Sequence, residues 1–347
     1  MLENLIFVGV LLVIFLLSVG LVRIFCSYAK NKGLVSIPNS RSFHQGSIPL
    51  GGGIIFVFFW VVGWLLSFIF NLTSFKELIV FLPSTLMVSI IGYWDDHKNL
   101  TAKQRLIAQL IASILCVSII GEIPYLHLFG RSAVYLGSFG IILTIIGLIW
   151  STNLYNFMDG LDGMAAVEAL FVFGMSGLLF WHNNAIKMAI LSWLIVAMVA
   201  GFLVWNWPKA KVFMGDVGSY FLGFLVALFS LIGDIWYNIP VVFWFILYGV
   251  FWFDATVTVI RRFIFKENLT VAHREHAFHR VQRLGFSHQQ VLLGIITLNM
   301  VLSSIVIWVL FIQPDYLKWG LLLAIIILTI IYIVIEKLKS MERMSLQ

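Results

Sequence analysis

The sequence N-L-Y-N-F-M-D-G-L-D-G, from Asn153 to Gly163, decides the fold of this chain because it sets polar residues between two apolar runs. One run covers 141–150 and the next begins near Met164. Carboxylates this close to a bilayer are costly unless they face protein, water or a metal ion. The stretch is therefore either a polar helix cap followed by a turn, since Asn, Asp and Gly are common turn formers, or a functional loop at a membrane surface.

Composition places the whole chain in a membrane. Its 347 residues are 61% hydrophobic and 11% charged, whereas soluble domains carry roughly 25% charged residues. The mean hydropathy is +1.01. Each bilayer crossing takes about 20 mostly apolar residues, and lone helices satisfy their own backbone in lipid. The predicted fold class is therefore all-α and polytopic, with about eleven transmembrane helices. The predicted spans are 5–25, 50–70, 78–94, 104–121, 134–152, 164–181, 187–205, 217–233, 239–260, 290–311 and 318–336.

Lys and Arg residues predict the orientation, because cytoplasmic loops are enriched in them. With the N-terminus outside, eighteen of the 22 Lys and Arg residues lie in inner loops or the C-terminal tail. This bias predicts a periplasmic N-terminus and a cytoplasmic C-terminus. The polar clusters then all fall on the inner face, at 36–53, 94–105, 153–163, 205–219 and 261–288. A transporter more often places its ionisable groups near the bilayer midplane, between broken helices.

The opening stretch has the chemistry of a metal and phosphate site. Asn153, Asn156 and Asp159 recur every third residue, so they share one face of a helical turn. Oxygen ligands on one face, with glycines that let the backbone approach a ligand, suit Mg²⁺ and a phosphate.

Three further inner clusters each allow a functional and a structural interpretation. Residues 38–53 place a basic residue, a His and glycines before a helix, which suits anion binding or a flexible loop. Asp95 and Asp96 end the third span, and each could hold a metal, accept a proton or face water. Because adjacent helix residues point in different directions, at most one of the two is expected to reach a given ligand. Asp216, within F-M-G-D-V-G-S, is either a helix cap or a Mg²⁺ ligand beside phosphate.

The longest inner loop contains A-H-R-E-H-A-F-H-R at 272–280. Its Arg and His residues match phosphate, although a polybasic loop also binds lipid headgroups. The absence of Cys from the loop disfavours zinc. Asp254, inside the ninth span, is a functional candidate that Thr256 or Thr258 could satisfy within the bundle.

Taken together, these clusters resemble the polyprenyl-phosphate N-acetylhexosamine-1-phosphate transferases of glycosyltransferase family 4, in the branch that initiates O-antigen and enterobacterial common antigen. The shared motifs are R-x-x-H-x-G-x-x-P-x-G-G at 41–52, D-D at 95–96, N-x-x-N-x-x-D-G at 153–160, G-D-x-G-S at 215–219 and H-R-E-H-A-F-H-R at 273–280. The resemblance covers nearly the whole chain and implies one integral-membrane transferase domain over residues 1–347.

The resemblance also implies a reaction. An N-acetylhexosamine-1-phosphate, carrying GlcNAc or a modified sugar, passes from a UDP-sugar to undecaprenyl phosphate, and UMP is released. The product would start a lipid-linked envelope glycan such as O-antigen, at the cytoplasmic face of the bacterial inner membrane. The expected partners are the UDP-N-acetylhexosamine, undecaprenyl phosphate, membrane lipid and a second copy of the chain, with no nucleic acid. The chain lacks the consecutive His residues of the muramoyl-pentapeptide transferases, which disfavours a muramoyl-pentapeptide substrate.

Roles for individual residues follow from the same resemblance. The implied ligands of Mg²⁺, with Mn²⁺ as an alternative, are Asn156 and Asp216. The implied catalytic residues are Asp95, Asp96 and Asp159. The implied substrate-binding residues are His44, Asn153, Arg274, His276, His279 and Arg280. Two other functions remain open at this point: a transporter of a phosphorylated or anionic solute, and a noncatalytic scaffold that binds anionic lipid.

Overall fold

The computed structural model describes residues 2–36, 46–121, 123, 125–129, 132–268, 274–312 and 314–341. Helices make up 78% of it and strands very little, which confirms the predicted all-α class. They are α1 (Leu2–Lys32), α2 (Ile54–Ile69), α3 (Phe75–Lys98), α4 (Ala102–Ile120), α5 (Phe139–Met158), α6 (Met164–His182), α7 (Ile186–Asn206), α8 (Asp216–Tyr237), α9 (Val242–Leu247), α10 (Gly249–Ile264), α11 (Ala277–Arg283), α12 (His288–Phe311) and α13 (Leu317–Leu338). Two hairpins add β1 (Val35–Ser36) with β2 (Ile48–Pro49), and β3 (Tyr125–Phe129) with β4 (Ser132–Tyr135).

Among the described residues, nine helices are long and apolar enough to cross a membrane. The two other predicted spans differ from a simple crossing. Helix α2 has 16 residues and is shorter than a usual span. The span predicted over 239–260 is interrupted at Tyr248, which separates α9 from α10. Hydropathy cannot reveal such a break, since the residues on both sides of Tyr248 are apolar. The count of eleven crossings and the orientation stay predictions.

Helix α8 is the centre of the bundle. Within its most apolar window 83% of the residues are buried, against 11% for α1 and 17% for α13, which lie at the periphery. Glycines let its neighbours approach closely, as in other membrane bundles. A Cβ at Gly223 of α8 would lie 2.7 Å from the Ser151 carbonyl oxygen of α5. A Cβ at Gly92 of α3 would lie 2.3 Å from the Asp216 carbonyl oxygen.

The β3–β4 hairpin corrects the prediction that a helix begins at residue 134. Ser132–Tyr135 pairs with Tyr125–Phe129, and Gly137 has a positive φ of 54°, so α5 begins only at Phe139. Asp234 accepts a hydrogen bond from the His127 backbone N–H at 2.8 Å. The His127 ring nitrogen Nδ1 lies 3.0 Å from the same oxygen. Because Asp234 lies 18 residues after Asp216 and a helix rises about 1.5 Å per residue, the hairpin is held about 27 Å from the start of α8.

A carboxyl group is buried between two spans. Glu168 of α6 is fully buried, and its Oε2 accepts a hydrogen bond from the Asn299 amide of α12 at 2.7 Å. The sequence analysis did not single out either residue. Two polar side chains on neighbouring spans can form with each other the hydrogen bonds that lipid cannot provide. The contact therefore ties α6, which follows the opening stretch directly, to α12.

Candidate active site

Segments far apart in sequence meet around the start of α8. Residues at the end of the first motif form backbone hydrogen bonds with the segment just before α8. The N–H of Gly52 donates to the Phe213 carbonyl at 2.9 Å, and the N–H of Gly53 donates to the Met214 carbonyl at 2.8 Å. The N–H of Phe213 donates in turn to the Pro49 carbonyl at 2.8 Å. Two glycine-rich motifs, at 46–53 and 215–219, thus form one wall of the site. His44 lies outside the described residues, and its predicted role stays a prediction.

Glycine is required at two contacts of this wall. A Cβ on Gly53 would lie 2.3 Å from the Cα of Gly218. Gly215 has a φ of 75°, which L side chains rarely adopt, and a Cβ there would lie 2.6 Å from the Asp96 Oδ2. The glycines of both motifs therefore let the backbone before α2 and the Asp96 carboxylate reach the start of α8.

Asp96 caps α8 from another helix. Its Oδ1 accepts from the backbone N–H of Asp216 at 2.8 Å, and its Oδ2 accepts from that of Val217 at 3.2 Å. The first N–H groups of a helix have no partner within the helix and favour a negative charge. The interpretation of Asp216 as the cap of its own helix was wrong: Gly215 is the N-cap residue, and Asp216 is the first residue of the helix.

Asp216 instead faces α5. Its Oδ1 accepts a hydrogen bond from the Asn156 Nδ2 at 2.7 Å, and the same nitrogen donates to the Ser219 hydroxyl at 3.0 Å. Both Asn156 and Asp216 are half-buried. The structure therefore brings together the two residues that the resemblance assigns to the metal.

Asp95 makes hydrogen bonds that differ from those of Asp96, although its negative charge acts on both Asp96 and Asp216. It is buried, and it accepts from the Leu100 N–H at 2.8 Å and from the Tyr220 hydroxyl at 2.9 Å. Arg105 of α4 forms an ion pair with it at 3.2 Å, and the side chain of Arg105 keeps 28% of its surface exposed.

The sequence analysis missed Arg105 and Tyr220. The signals were present, because Tyr220 directly follows G-D-V-G-S and lies one helical turn beyond Asp216. Arg105 lies in the first turn of α4, ten positions after Asp95.

Asp159 lies where α5 ends and is half-buried. Burial, reinforced by the negative charges of Asp96 and Asp162, raises the pKa of the Asp159 carboxyl to about 7. Carboxylates so close together destabilise one another unless a proton or a cation is shared among them. This end of the bundle therefore favours a positively charged ligand.

The His-rich loop reaches the same place through α11. Both carboxylate oxygens of Asp254 accept from the Ala277 N–H, at 3.0 and 2.9 Å, and the Thr258 hydroxyl donates to Asp254 at 3.2 Å. The His276 Nδ1 lies 3.7 Å from the same carboxylate. Asp254 thus holds the first turn of α11, and of the two threonines considered for it, Thr258 contacts its carboxylate.

On the other side of α11, His279 and Phe278 cover the turn after Asp159. A Cβ on Gly160 would lie 2.8 Å from the Phe278 ring and 3.4 Å from the His279 Nε2. The ring centroids of Phe278 and His279 are 4.0 Å apart. His279 is therefore the predicted donor-binding residue that the structure brings nearest to the opening stretch.

Two other predicted substrate-binding residues, Asn153 and Arg280, are directed elsewhere, and for Arg274 the structure gives a backbone contact. Asn153 exchanges amide hydrogen bonds with Gln109 of α4 at 2.6 and 3.3 Å. The guanidinium of Arg280 is buried against α13. Arg274 receives a hydrogen bond at its carbonyl oxygen from Arg283. Their roles toward a substrate stay predictions.

The oxygen atoms of Asp96, Asn156 and Asp216 suit Mg²⁺ better than a metal that needs a complete set of protein ligands. Among the described residues, no three His, Cys, Asp or Glu side chains converge as a ready-made metal cluster. Mg²⁺ does not need one, because it is usually bound through one or two carboxylates, with waters and substrate phosphates completing its shell. Asp216 and Asp96 could supply those carboxylates. The Asn156 amide would have to turn its oxygen toward the ion, since its nitrogen now faces Asp216.

Comparison with known proteins gives consistent matches. The model of glycosyl transferase family 4 matches residues 78–234. A Bacillus subtilis protein named "Probable undecaprenyl-phosphate N-acetylglucosaminyl 1-phosphate transferase" is 32% identical over 277 residues, which cover 78% of this chain and 76% of that protein. The Yersinia pestis "Undecaprenyl-phosphate alpha-N-acetylglucosaminyl 1-phosphate transferase" is 28% identical over 308 residues, covering 85% and 82%. A "Phospho-N-acetylmuramoyl-pentapeptide-transferase" of Halalkalibacterium halodurans is 28% identical over 288 residues, covering 78% and 86%.

Proposed function

The chain belongs to the polyprenyl-phosphate N-acetylhexosamine-1-phosphate transferases of glycosyl transferase family 4, and on that premise we propose that it transfers N-acetylglucosamine-1-phosphate from UDP-N-acetylglucosamine to undecaprenyl phosphate. The sugar is taken from the names of the B. subtilis and Y. pestis relatives. The products are the lipid diphosphate sugar and UMP. The reaction would start an envelope glycan such as O-antigen, on the cytoplasmic side of the bacterial inner membrane.

One observation carries the proposal. Asp96, Asp216 and Asn156 are joined by hydrogen bonds at the start of α8, and α11 covers the turn beside Asp159 from the C-terminal part of the chain. Carboxylates, a partly exposed Arg and His residues at one end of a membrane bundle suit the joining of two phosphates. They do not suit passage of a solute through the bundle, because a transporter more often places its ionisable groups near the bilayer midplane.

The acceptor phosphate needs little help from a base. The second pKa of a phosphate monoester is about 6, so the nucleophile is already largely ionised at neutral pH. Asp95 accepts hydrogen bonds from three groups and is poorly placed to take a proton as well. We assign it the positioning of Arg105, whose exposed guanidinium surface can meet the acceptor phosphate.

The main obstacle to reaction is repulsion between a phosphate anion and a diphosphate. Mg²⁺, or Mn²⁺ in its place, would offset that repulsion and stabilise the charge that develops on the leaving UMP. Asp216, Asp96 and Asn156 would hold the ion. His279 and Arg105 would contact the two phosphates from opposite sides, through donated hydrogen bonds.

An apolar cavity supports a polyprenyl acceptor. It has a volume of about 400 Å³ and lies between α10, α12 and α13. Met158 and Phe278 line it next to the turn after Asp159, and Phe253, Ile295 and Leu328 line it farther on. An isoprenoid chain placed there would have its phosphate at the carboxylate end and its tail among spans.

The decisive experiment follows one labelled atom. Purified protein is mixed with undecaprenyl phosphate, Mg²⁺ and UDP-N-acetylglucosamine labelled in the phosphate attached to the sugar. We expect the label in the lipid product, release of UMP, and exchange back to UDP-sugar when UMP is added. Release of UDP with the label in the nucleotide would refute the proposed bond cleavage. Solute flux in proteoliposomes without any lipid product would favour a transporter.

A further inference from the structure

Three helices meet at one carboxylate near the C-terminal end of the bundle. Glu336 of α13 accepts from the Arg261 guanidinium of α10, with 2.6 Å between Nη1 and Oε2. The same Oε2 accepts from Nη1 of Arg280 in α11. Glu336 belongs to none of the five motifs described above. One carboxylate therefore neutralises two cations from two different helices.

Arg280 depends on this carboxylate more than Arg261 does. Its side chain has 0% exposure, whereas that of Arg261 has 26%. Its guanidinium lies 4.8 Å from the centroid of the Tyr332 ring and donates a weaker hydrogen bond to the Lys339 carbonyl at 3.3 Å. Within the described part of the chain, its Nε and Nη2 are buried without a hydrogen-bond partner. A buried cation is tolerated only when a counter-charge compensates for its lost hydration.

Helix α11 needs anchors because it has only seven residues. Helices this short are unstable on their own. Asp254 holds its first N–H group, and Phe278 packs on Gly160. The ion pair between Arg280 and Glu336 fixes the side of α11 that faces α13. The helix carries His279, so these anchors also decide where that imidazole lies.

We propose that Glu336 is a positioning residue for the donor site, which acts through Arg280 to hold α11 and His279 against the turn at Asp159 and Gly160. The inference rests on the proposed function, because it takes the UDP-sugar diphosphate as the ligand beside α11. Glu336 itself does not touch the substrate.

Loss of the Glu336 charge has a direct physical consequence. Arg280 loses its direct ion-pair partner and keeps only the more distant charge of Asp254, while the second cation Arg261 stays nearby. It must turn toward water, and α11 has to shift with it. A displacement of about 1 Å in a site of this kind can cost about 100-fold in turnover.

The test compares four variants in the labelled-donor assay, with binding of UDP-N-acetylglucosamine measured by calorimetry in the absence of acceptor. Glu336→Gln keeps the size of the side chain and removes its charge. We expect the donor KM and the calorimetric Kd to rise at least about tenfold, with the acceptor KM within about twofold of wild type. Glu336→Asp keeps the charge and should recover part of the donor affinity.

Two control variants remove other ion pairs. Arg261→Gln removes the exposed partner of Glu336 and leaves Arg280 paired, so donor affinity should stay near wild type. Glu77→Gln removes a 2.7 Å ion pair with Lys187 in the α3 and α7 region, away from α11, and keeps the capping box, because Gln also serves in that position. The Glu77→Gln variant therefore measures how much the loss of a surface ion pair by itself changes donor affinity.

Three results would overturn the inference. One is a Glu336→Gln protein with wild-type donor affinity. Another is equal loss in Arg261→Gln and Glu336→Gln, which would indicate a general surface charge effect. The third is a loss of thermal stability with unchanged donor Kd, which would make the contact purely structural. Failure of the wild-type protein to make lipid product from any UDP-sugar would instead reject the proposed function.

Discussion

Substitution of Gly53 by Ala tests the wall of the site by adding a single methyl group. Gly53 has a φ of −62° and a ψ of −15°, which Ala adopts without strain. The cost is therefore purely steric. The new Cβ would lie 2.3 Å from the Cα and 2.7 Å from the N of Gly218, and both are backbone atoms that cannot rotate away.

The size of the effect follows from this distance. Carbon atoms in ordinary contact are at least about 3.5 Å apart, so the start of α2 and the first turn of α8 must separate by about 1 Å. Overpacking of this kind destabilises proteins by about 1–3 kcal/mol. The separation also moves α8 relative to Asp96, and misplacement by about 1 Å can lower turnover about 100-fold. We therefore expect a large loss of activity with a moderate loss of stability.

Gly63→Ala is the matched control. It lies in the same helix α2, and nothing is within 4 Å of its added Cβ. Ala is favoured over Gly inside helices by about 1 kcal/mol, so this variant should be at least as stable as wild type and equally active. Thermal unfolding in detergent and label transfer to lipid measure the two effects. If Gly53→Ala matched Gly63→Ala in both assays, close approach of the two backbones would not matter to the site.

Four other outcomes are expected. Asp216→Asn, which keeps the contact with Asn156, should lower turnover by orders of magnitude at nearly unchanged melting temperature; near-normal turnover would leave Asp216 only a packing role. Removal of divalent ions by EDTA should abolish label transfer and added Mg²⁺ should restore it, whereas full activity in EDTA would exclude the proposed metal. Arg105→Gln should raise the acceptor KM about tenfold, since one charge-assisted contact is lost; a rise in the donor KM alone would contradict its assignment. Asn299→Leu should lower the free energy of unfolding by about 1–3 kcal/mol by leaving Glu168 without its donor, and no change in thermal unfolding would refute that contact.

The spans were predictable because lipid leaves few alternatives. A run of about 20 apolar residues in a bilayer has to be a helix, so most helices were found within a few residues of their ends. The exceptions follow from contacts that hydropathy does not contain. The β3–β4 pairing delays the start of α5, and the residues on both sides of the break at Tyr248 are apolar.

The sequence predicted which residues come together at the candidate site better than it predicted the contacts between them. The inner-face argument grouped Asp96, Asn156 and Asp216, and the structure joins them by hydrogen bonds, whereas their predicted roles stay predictions. It could not show that Asp96 caps α8, because that contact joins residues 120 positions apart. Arg280 illustrates the same difficulty: its residue type matched phosphate, but the charge of Glu336, 56 positions later, attracts its guanidinium to α13.

The pair formed by Glu168 and Asn299 has a consequence for biosynthesis. The two residues are 131 positions apart, and ribosomes add about 5–20 residues per second. Helix α6 is therefore synthesised about 7–26 s before the amide that will satisfy its carboxyl group. During this interval, α6 has to remain at the insertion machinery or enter lipid with the carboxyl protonated. Folding of this protein is thus expected to be sensitive to the rate of translation between α6 and α12, an interval in which Asp216 of the candidate site is itself synthesised.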